Sequence, residues 1–222
     1  MRLVTADGDL VEEWTSANDV HIIAGLARGT YYFEEVEAPD GYIRNTERIE
    51  VVIDKDTTTH TYTMKNQKTG VRIAKVDSET GEIIAGATLE LLDENREVLA
   101  SWTTTGDYRS FDDLGEGVYY VRETAAPSGY ILNSSLEEFT IDSSNPVATV
   151  RFEDEKTTVK VGKLDANTGN YIAGATLRLS RQDGNMEPIT FVSEDHATEF
   201  RGLATGVYVL EEIEAPSGYI TS

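Results

Sequence analysis

Hydrophobic residues alternate with polar ones along most of this chain, a period-two pattern that is typical of β-strands. Runs rich in Val, Ile, Tyr, Phe and Thr extend over about four to eight positions before the pattern breaks. Clusters of turn-forming residues separate these runs at 77–81, 93–96, 165–169 and 182–185. Helical periodicity is essentially absent, so the pattern predicts an all-β protein.

The same phrase of fifteen residues occurs three times along the chain. It reads GTYYFEEVEAPDGYI at 29–43, GVYYVRETAAPSGYI at 117–131 and GVYVLEEIEAPSGYI at 206–220. Each copy has a glutamate four residues before its proline, and these three are Glu35, Glu123 and Glu212. The glutamates lie 88 and 89 residues apart, and self-similarity at a fixed spacing indicates a repeat array.

The repeat spacing divides the chain into one complete repeat and two partial ones. We predict a complete repeat at 70–156, a partial repeat at 1–69 that lacks its first strand, and a partial repeat at 157–222 that lacks its last strands. On this division the chain is a piece of a longer array. The linkers at 66–70 and 155–158 are short, so neighbouring repeats should have limited freedom.

Short strands and frequent turns within about 88 residues predict tandem antiparallel β-sandwich repeats, each with two packed sheets. In the complete repeat, the strands are predicted near 70–76, 83–92, 97–103, 108–112, 117–123, 129–132, 136–142 and 147–155.

Composition excludes several classes of partner. The chain has 40 acidic and 19 basic residues and a net charge of −21, which argues against nucleic acid and anionic membrane surfaces. No apolar run reaches membrane-spanning length, so no membrane insertion is predicted. The acidic surface favours solubility and mutual repulsion along an extended rod. The chain has no cysteine, so disulfides and thiolate metal sites are unavailable.

No metal or cofactor is predicted from the remaining polar residues. The acidic clusters at 7–9, 54–56 and 153–155 lack the spacing of a calcium-binding EF-hand loop. The three histidines occupy unlike positions of their repeats, which argues against a metal site and a Ser-His-Asp triad. They are His21, His60 and His196.

Strand parity places an ionisable group at the end of three apolar rows, because successive side chains of a strand point to opposite faces. In the complete repeat the rows are Val71, Ile73 and Lys75; Val150, Phe152 and Asp154; and Tyr119, Val121 and Glu123. The corresponding rows of the partial repeats are Tyr31, Phe33 and Glu35; Tyr62, Met64 and Asn66; Val159, Val161 and Lys163; and Tyr208, Leu210 and Glu212.

Lys75, Asp154 and Glu123 would be costly as separate charges inside one core. Burial would instead favour a neutral amine, which is a nucleophile, and a protonated carboxyl, which is a better electrophile than a carboxylate. A second carboxyl can transfer protons while water leaves, and the product would be an amide between two side chains. The competing interpretation is an ordinary, partly buried salt bridge, and parity alone does not decide between the two.

These residues also carry a resemblance to a known family. The K-x-D starts at 75–77 and 163–165, the GAT-L strand and the E-x-x-A-P-x-G-Y phrase resemble the Cna B-type domain. This domain is also called the SpaA-like or prealbumin-like domain of Gram-positive pilins and adhesins. The resemblance implies a spontaneous isopeptide bond between Lys75 and Asp154, with Glu123 as the proton shuttle and Glu35 and Glu212 as its equivalents.

One position departs from the family pattern. The family more often has asparagine at the acceptor position of the last strand, so with Asp154 water rather than ammonia would leave. Asn66, at the equivalent position of the first repeat, matches the usual type.

The partial repeats cannot complete this chemistry alone. The first contains Glu35 and Asn66 but no lysine on a first strand, and in the third the last strand that would carry the acceptor for Lys163 is not in the sequence. Exchange of strands between molecules would let Lys163 of one meet Asn66 of another. Covalent oligomers on a denaturing gel would then be expected.

The sequence and the resemblance together predict a structural stalk or spacer of an extracellular, cell-wall-anchored adhesin or pilin-like protein. Its expected partners are neighbouring repeats, with a host matrix protein or glycan bound only through parts outside this sequence. The chain contains no recognisable signal or sorting motif, so this location is implied by the resemblance alone. An enzyme with an external substrate is not expected, since a glycosidase-like carboxylate pair would have to recur in every repeat.

The alternative is a module that binds a glycan or matrix protein without a crosslink. Trp14 and Trp102, with Phe191 at the matching place, can stack on sugars, although large aromatic residues more often fill β cores. Buried tryptophans and no concave polar site would favour the stalk, and an open cleft lined by them would favour the binding module.

Overall fold

The computed structural model describes residues 1–55 and 59–221, and every regular element in these ranges is a β-strand. Asp56, part of the acidic cluster at 54–56, and Ser222 lie outside the described residues. The all-β class predicted from the alternating pattern is confirmed.

The first repeat forms one antiparallel sheet of four strands and a separate short pair. Its strands are β1 (Arg2–Thr5), β2 (Leu10–Glu13), β3 (Gly29–Glu34), β4 (Tyr42–Ile43), β5 (Ile49–Ile53) and β6 (Gln67–Lys68). The sheet has the order β2-β1-β3-β5, and β4 pairs with β6. The β4–β6 pair therefore ties the end of the first phrase to the segment that enters the middle repeat.

The middle repeat is a sandwich of two sheets. Its strands are β7 (Gly70–Asp77), β8 (Ala85–Leu92), β9 (Val98–Thr105), β10 (Arg109–Phe111), β11 (Gly117–Ala125), β12 (Leu136–Ile141) and β13 (Val147–Asp154). One sheet has the order β12-β11-β8-β9 and the other has the order β10-β7-β13. The first and last strands of the repeat are therefore neighbours.

The pairing of β7 with β13 is parallel, whereas the other strand pairs in the described ranges are antiparallel. Gly70 is opposite Val147 and Asp77 is opposite Asp154. Because the two strands run in the same direction, the chain enters this pair at one end and leaves it at the other.

The third repeat forms two smaller sheets. Its strands are β14 (Thr158–Val161), β15 (Thr176–Arg181), β16 (Ile189–Val192), β17 (Thr198–Arg201) and β18 (Tyr208–Glu214). They pair as β14-β17 and as β16-β15-β18. Strand parity placed Leu210 of β18 on the same inward row as Glu212. In the structure Leu210 is 46% exposed, so this row is only partly covered.

Seven of the eight strands predicted for the middle repeat form within a few residues of their predicted bounds, and the strand at 129–132 is wrong. There the Tyr130 N–H donates to the Pro127 carbonyl at 3.1 Å, which closes a turn, and Gly129 has a φ of 88°. Proline and a left-handed glycine direct the chain into a reversal. Only an isolated bridge between Tyr130 and Lys156 remains.

The core of the middle repeat contains the apolar rows predicted by strand parity. Val71 and Ile73 of β7 pack with Leu91, Trp102 and Val121 of the facing sheet. Burial alternates strictly along β13, with Val150, Phe152 and Asp154 inside, as the parity argument required.

The first repeat has an open groove where the middle repeat has β7. The groove is about 690 Å³ in volume and its lining includes Leu3, Trp14, Phe33 and Tyr62. Leu3 and Trp14 are equivalent to Leu91 and Trp102 at the 88-residue offset, and in the middle repeat Val71 and Ile73 pack against those positions. The groove therefore has the position of a first strand.

A clasp of three side chains closes one end of the middle repeat. The Asp77 carboxylate is 2% exposed, accepts a hydrogen bond from the Tyr130 hydroxyl at 2.9 Å and forms an ion pair with Lys156 at 2.6 Å. The backbone N–H groups of Glu79 and Thr80 also donate to it, both at 2.9 Å. Lys156 and these hydrogen bonds hold the pKa of Asp77 well below its usual range.

We expect Leu91→Ala to lower the free energy of unfolding by about 3 kcal/mol, because it removes a fully buried side chain from the middle core. Denaturant unfolding measures the change. Val98→Ala, at a position 48% exposed, is the matched control and should change stability by less than about 0.5 kcal/mol. Equal losses in the two variants would contradict this core assignment.

We expect Asp77→Asn to cost about 2 kcal/mol at pH 7, because it removes a charged partner from a buried cluster. The folded pKa of Asp77 is lowered, so its stabilising effect is present above the unfolded pKa of about 3.9 and is lost as pH falls through the folded value. The difference between wild type and variant should therefore shrink below about pH 4 in urea titrations at several pH values. Glu138→Gln, on the exposed face of β12, controls for general charge effects, and a difference independent of pH would contradict the assignment.

Candidate functional site

Three strands bring Lys75, Glu123 and Asp154 together inside the middle repeat. The Lys75 Nζ lies 2.5 Å from Asp154 Oδ1 and 3.6 Å from Glu123 Oε1. All three side chains are fully buried, with no exposed fraction. The three residues singled out from strand parity are thus neighbours in the fold.

Strand register explains this proximity. Lys75 on β7 is opposite Phe152 on β13, and Asp154 lies two residues further along the same inward face. The Lys75 amine is 4.2 Å from the centroid of the Phe152 ring and donates to the Glu153 carbonyl at 3.1 Å. The amine therefore lies against an aromatic ring, and its polar neighbours are the Glu153 carbonyl and the two carboxyls of the site.

Burial dominates the electrostatics of the acceptor carboxyl. It raises the pKa of Asp154 to about 6, and the nearby Glu123 carboxyl acts in the same direction. The hydrogen bond and positive charge of Lys75 act in the opposite direction and do not cancel the effect. The raised pKa makes the protonated form of Asp154 more accessible near neutral pH, and this form is the electrophile that amide formation requires.

Two carboxylate oxygens of this site are buried and have no hydrogen-bond partner among the described residues. They are Asp154 Oδ2 and Glu123 Oε1. Buried polar atoms are nearly always hydrogen-bonded, so unsatisfied ones call for an explanation such as a reactive role. Glu123 Oε1 is also the oxygen closest to the Lys75 amine.

Asn133 positions Glu123, and the sequence reasoning missed it. Its backbone N–H donates to Glu123 Oε2 at 2.8 Å, and its side-chain Nδ2 donates to the Glu153 carbonyl at 2.7 Å. Asn45, 88 residues earlier, makes equivalent bonds to Glu35 at 2.6 Å and to the Lys65 carbonyl at 3.1 Å. The signal was available, since both asparagines hold the same place after the phrase.

The first repeat brings its glutamate and asparagine together. Asn66 Nδ2 donates to Glu35 Oε2 at 2.6 Å and to the Ile43 carbonyl at 2.9 Å. Tyr62, Met64 and Asn66 are half-buried while their immediate neighbours are exposed, which is the predicted parity, although the structure assigns no strand there.

The third repeat brings its lysine and glutamate together. Lys163 Nζ lies 3.0 Å from Glu212 Oε2, with side-chain exposures of 20% and 3%. Asn66 and Lys163 lie in different repeats of one chain. A bond between Lys163 of one molecule and Asn66 of another stays a prediction, and covalent oligomers on a denaturing gel would test it.

The geometry does not suit an external substrate. The carboxyls of Glu123 and Asp154 are sealed in the core, where a sugar cannot reach them. Within residues 1–55 and 59–221, no group of three or more histidine, aspartate or glutamate side chains is arranged to hold a metal ion. No helix in the same ranges is long and apolar enough to cross a membrane.

The two tryptophans differ in their surroundings. Trp102 is 8% exposed and packs edge-on against Phe111 with ring centroids 5.2 Å apart, and Phe191 packs in the same way against Phe200. Trp14 is half-buried and lines the groove of the first repeat.

A second, polar hollow of about 290 Å³ lies beside Glu35, lined by Arg2, Glu34 and residues 44–48 among others.

Comparison with solved structures shows the fold. The Bacillus anthracis TIE protein superposes with a TM-score of 0.51 at 24% identity, covering 89% of this chain and 38% of that one. The pilus adhesin SpaC of Lactobacillus rhamnosus GG aligns over 70% of this chain and 25% of that one, with a TM-score of 0.38 and 21% identity.

Comparison with protein sequences gives a more direct result. The serine-aspartate repeat-containing protein D of Staphylococcus aureus is 32% identical over 162 residues, which is 61% of this chain and 12% of that protein. The chain thus spans about an eighth of the length of this relative. The model of the SpaA prealbumin-like fold domain matches residues 1–68, 69–156 and 157–222. The chain therefore belongs to the SpaA family of prealbumin-like domains and carries three tandem matches to it.

Proposed function

We propose that this chain is a stalk or spacer segment of a Gram-positive cell-surface adhesin or pilin-like protein, and that an isopeptide bond between Lys75 and Asp154 staples its middle repeat. The observation that carries the proposal is the 2.5 Å approach of the Lys75 amine to the Asp154 carboxyl inside a sealed core. Membership of the SpaA family and the staphylococcal relative support the surface location, and attachment to the cell wall is part of the proposal.

The bond forms in steps that the geometry permits. A proton passes from the Lys75 ammonium to the Asp154 carboxylate, whose pKa burial raises, while Glu123 stays ionised. The amine nitrogen attacks Asp154 Cγ and forms a tetrahedral intermediate. Glu123 takes the proton from that nitrogen and delivers it to the departing hydroxyl, so one water leaves and Glu123 returns to its starting state.

Relief of buried charge drives the reaction. The buried lysine and aspartate are replaced by a neutral amide, which removes the cost of holding two charges away from water. The Glu153 carbonyl, which accepts from the Lys75 amine at 3.1 Å, can accept from the new amide N–H. The site acts once on its own chain and is not an enzyme with turnover.

The bond would strengthen the repeat against both unfolding and pulling. It closes a loop between residues 79 positions apart, which by analogy with a disulfide stabilises the repeat by roughly 4–5 kcal/mol. It also joins the first strand to the last, so tension along the chain passes through the crosslink and cannot extend the loop. In a chain without cysteine, this strength does not depend on redox conditions.

One observation favours the alternative, a glycan- or matrix-protein-binding module, namely the groove lined by Trp14 in the first repeat. The position of the groove supports another explanation. The equivalent space in the middle repeat is occupied by Val71 and Ile73 of β7, so the groove has the shape and lining of a strand site. Eleven of its sixteen lining residues are aliphatic or aromatic, which suits the apolar face of a β-strand.

Intact-mass measurement of the folded protein tests the bond directly. We expect wild type to be lighter than its sequence mass by one water, and Lys75→Ala to have its full mass. Asp154→Asn should instead lose one ammonia, since the amide releases nitrogen at the same step. Lys160→Ala, which removes a lysine 66% exposed on β14, is the control and should keep the water deficit. A folded wild-type protein whose measured mass equals its sequence mass would contradict the crosslink.

The role of Glu123 can be tested separately from bond formation. Glu123→Gln keeps the size of the side chain but removes the proton acceptor, so we expect bond formation after refolding to be about 100-fold slower or more. A mass-spectrometric time course measures the rate. Glu138→Gln, on an exposed face, should react at the wild-type rate, and an equal rate for Glu123→Gln would exclude the shuttle role.

A further inference from the structure

The two junctions between repeats are built in the same way around a threonine. At the first junction, the Thr69 N–H donates to the Gly41 carbonyl of the preceding repeat at 2.9 Å. The Thr69 hydroxyl donates to the Leu114 carbonyl of the following repeat. Thr69 is 2% exposed, so this one residue bonds both repeats in a position shielded from water.

The second junction repeats this arrangement 88 residues later. The Thr157 N–H donates to the Gly129 carbonyl at 2.9 Å, and the Thr157 hydroxyl donates to the Leu203 carbonyl at 2.6 Å. The Gly202 N–H donates to the Thr157 carbonyl at 2.9 Å, and the Thr157 hydroxyl also lies 3.2 Å from the Gly129 carbonyl of the middle repeat. Because the contacts recur, they are a property of the repeat and not of one linker.

The glycine of the phrase is a contact residue at both junctions. A Cβ on Gly129 would lie 2.5 Å from the Gly202 carbonyl oxygen, and a Cβ on Gly41 would lie 3.1 Å from the Asp112 carbonyl oxygen. At Gly129 the backbones of successive repeats therefore meet where a side chain does not fit, and at Gly41 a side chain needs its neighbour to shift by a few tenths of an ångström. Gly218, the third copy, has no heavy atom within 4 Å of the same point among the described residues, although its φ of 89° matches the 88° of Gly129.

The second junction is also linked to the clasp of the middle repeat. Lys156, which pairs with Asp77, immediately precedes Thr157, and Arg201 of the third repeat pairs with Glu79 beside that clasp. Backbone bonds, the part-buried Thr157 hydroxyl and charged pairs thus meet within a few residues of Asp154.

We propose that the phrase glycine and the junction threonine form a docking surface for the next repeat of the array and hold successive repeats in one fixed orientation. The partner that this surface fits is the loop that ends at Leu114 or Leu203, which supplies a backbone carbonyl to the threonine hydroxyl. Domains with a small shared interface move relative to one another by default, and these contacts restrict that motion further than the short linker alone does. The joint does not depend on the isopeptide bond.

Spin-label distance measurements across the second junction test this joint. The chain has no cysteine, so Ser101→Cys on β9 and Thr190→Cys on β16 give two exposed label sites in neighbouring repeats. In this labelled background we expect a single narrow distance distribution. Gly129→Ala should displace the distribution and widen it about twofold, because the repeats regain the mobility expected of unlocked domains.

Gly218→Ala is the matched control, since it places the same methyl group at a glycine of equal φ without the contact. It should leave the distribution unchanged. Thr157→Val removes the hydroxyl bond to Leu203, keeps the side-chain size and should widen the distribution without unfolding either repeat. Circular dichroism checks that each variant is folded. If Gly129→Ala unfolds the chain, the distance distribution of Thr157→Val alone tests the joint. The proposed joint would be wrong if the distance distributions of Gly129→Ala and Thr157→Val both match that of Gly218→Ala.

Discussion

The parallel pairing of the first strand with the last is the constraint on which the rest of the middle repeat depends. With β7 beside β13, the Lys75 amine reaches Asp154 and the β7 side chains cover the aromatic core. The same pairing sends the chain in at Gly70 and out after Asp154, at opposite ends of the strand pair. Repeats with separated ends can stack one after another, and tension along such a stack acts along the strands that the proposed crosslink joins.

The site reconciles two requirements that normally conflict. A core tolerates an ionisable group only if it is paired or neutral, whereas a reaction requires groups that are poised to change. Lys75 has an acceptor at 2.5 Å, and yet two carboxylate oxygens beside it have no hydrogen-bond partner in the described part of the chain. Buried charges and unsatisfied oxygens raise the free energy of the folded state at this site, and the proposed amide would lower it without an external catalyst.

The recurring phrase acts at several points of the repeat. Its glutamate reaches the buried lysine, its glycine allows the following repeat to approach, and its tyrosine donates to Asp77 in the clasp. These positions lie within a short stretch of chain, so force on the proposed joint would reach the proposed crosslink through only a few residues. A stalk assembled from such units would transmit tension from one repeat to the next through backbone contacts and not through a loose linker.

Local pattern in the sequence was sufficient to predict the β class and, in the middle repeat, the inward rows and the set of Lys75, Glu123 and Asp154, because alternation and repetition are properties of neighbouring residues. In the third repeat, Val159 and Leu210 lie on predicted inward rows but are 41% and 46% exposed. Tertiary structure alone decided the parallel pairing of β7, the turn at 127–130, the place of Asn133 and the different surroundings of Trp14 and Trp102. Each of these depends on which distant segments meet. Trp102 is buried because β7 covers it, and no feature near Trp14 or Trp102 in the sequence carries that information.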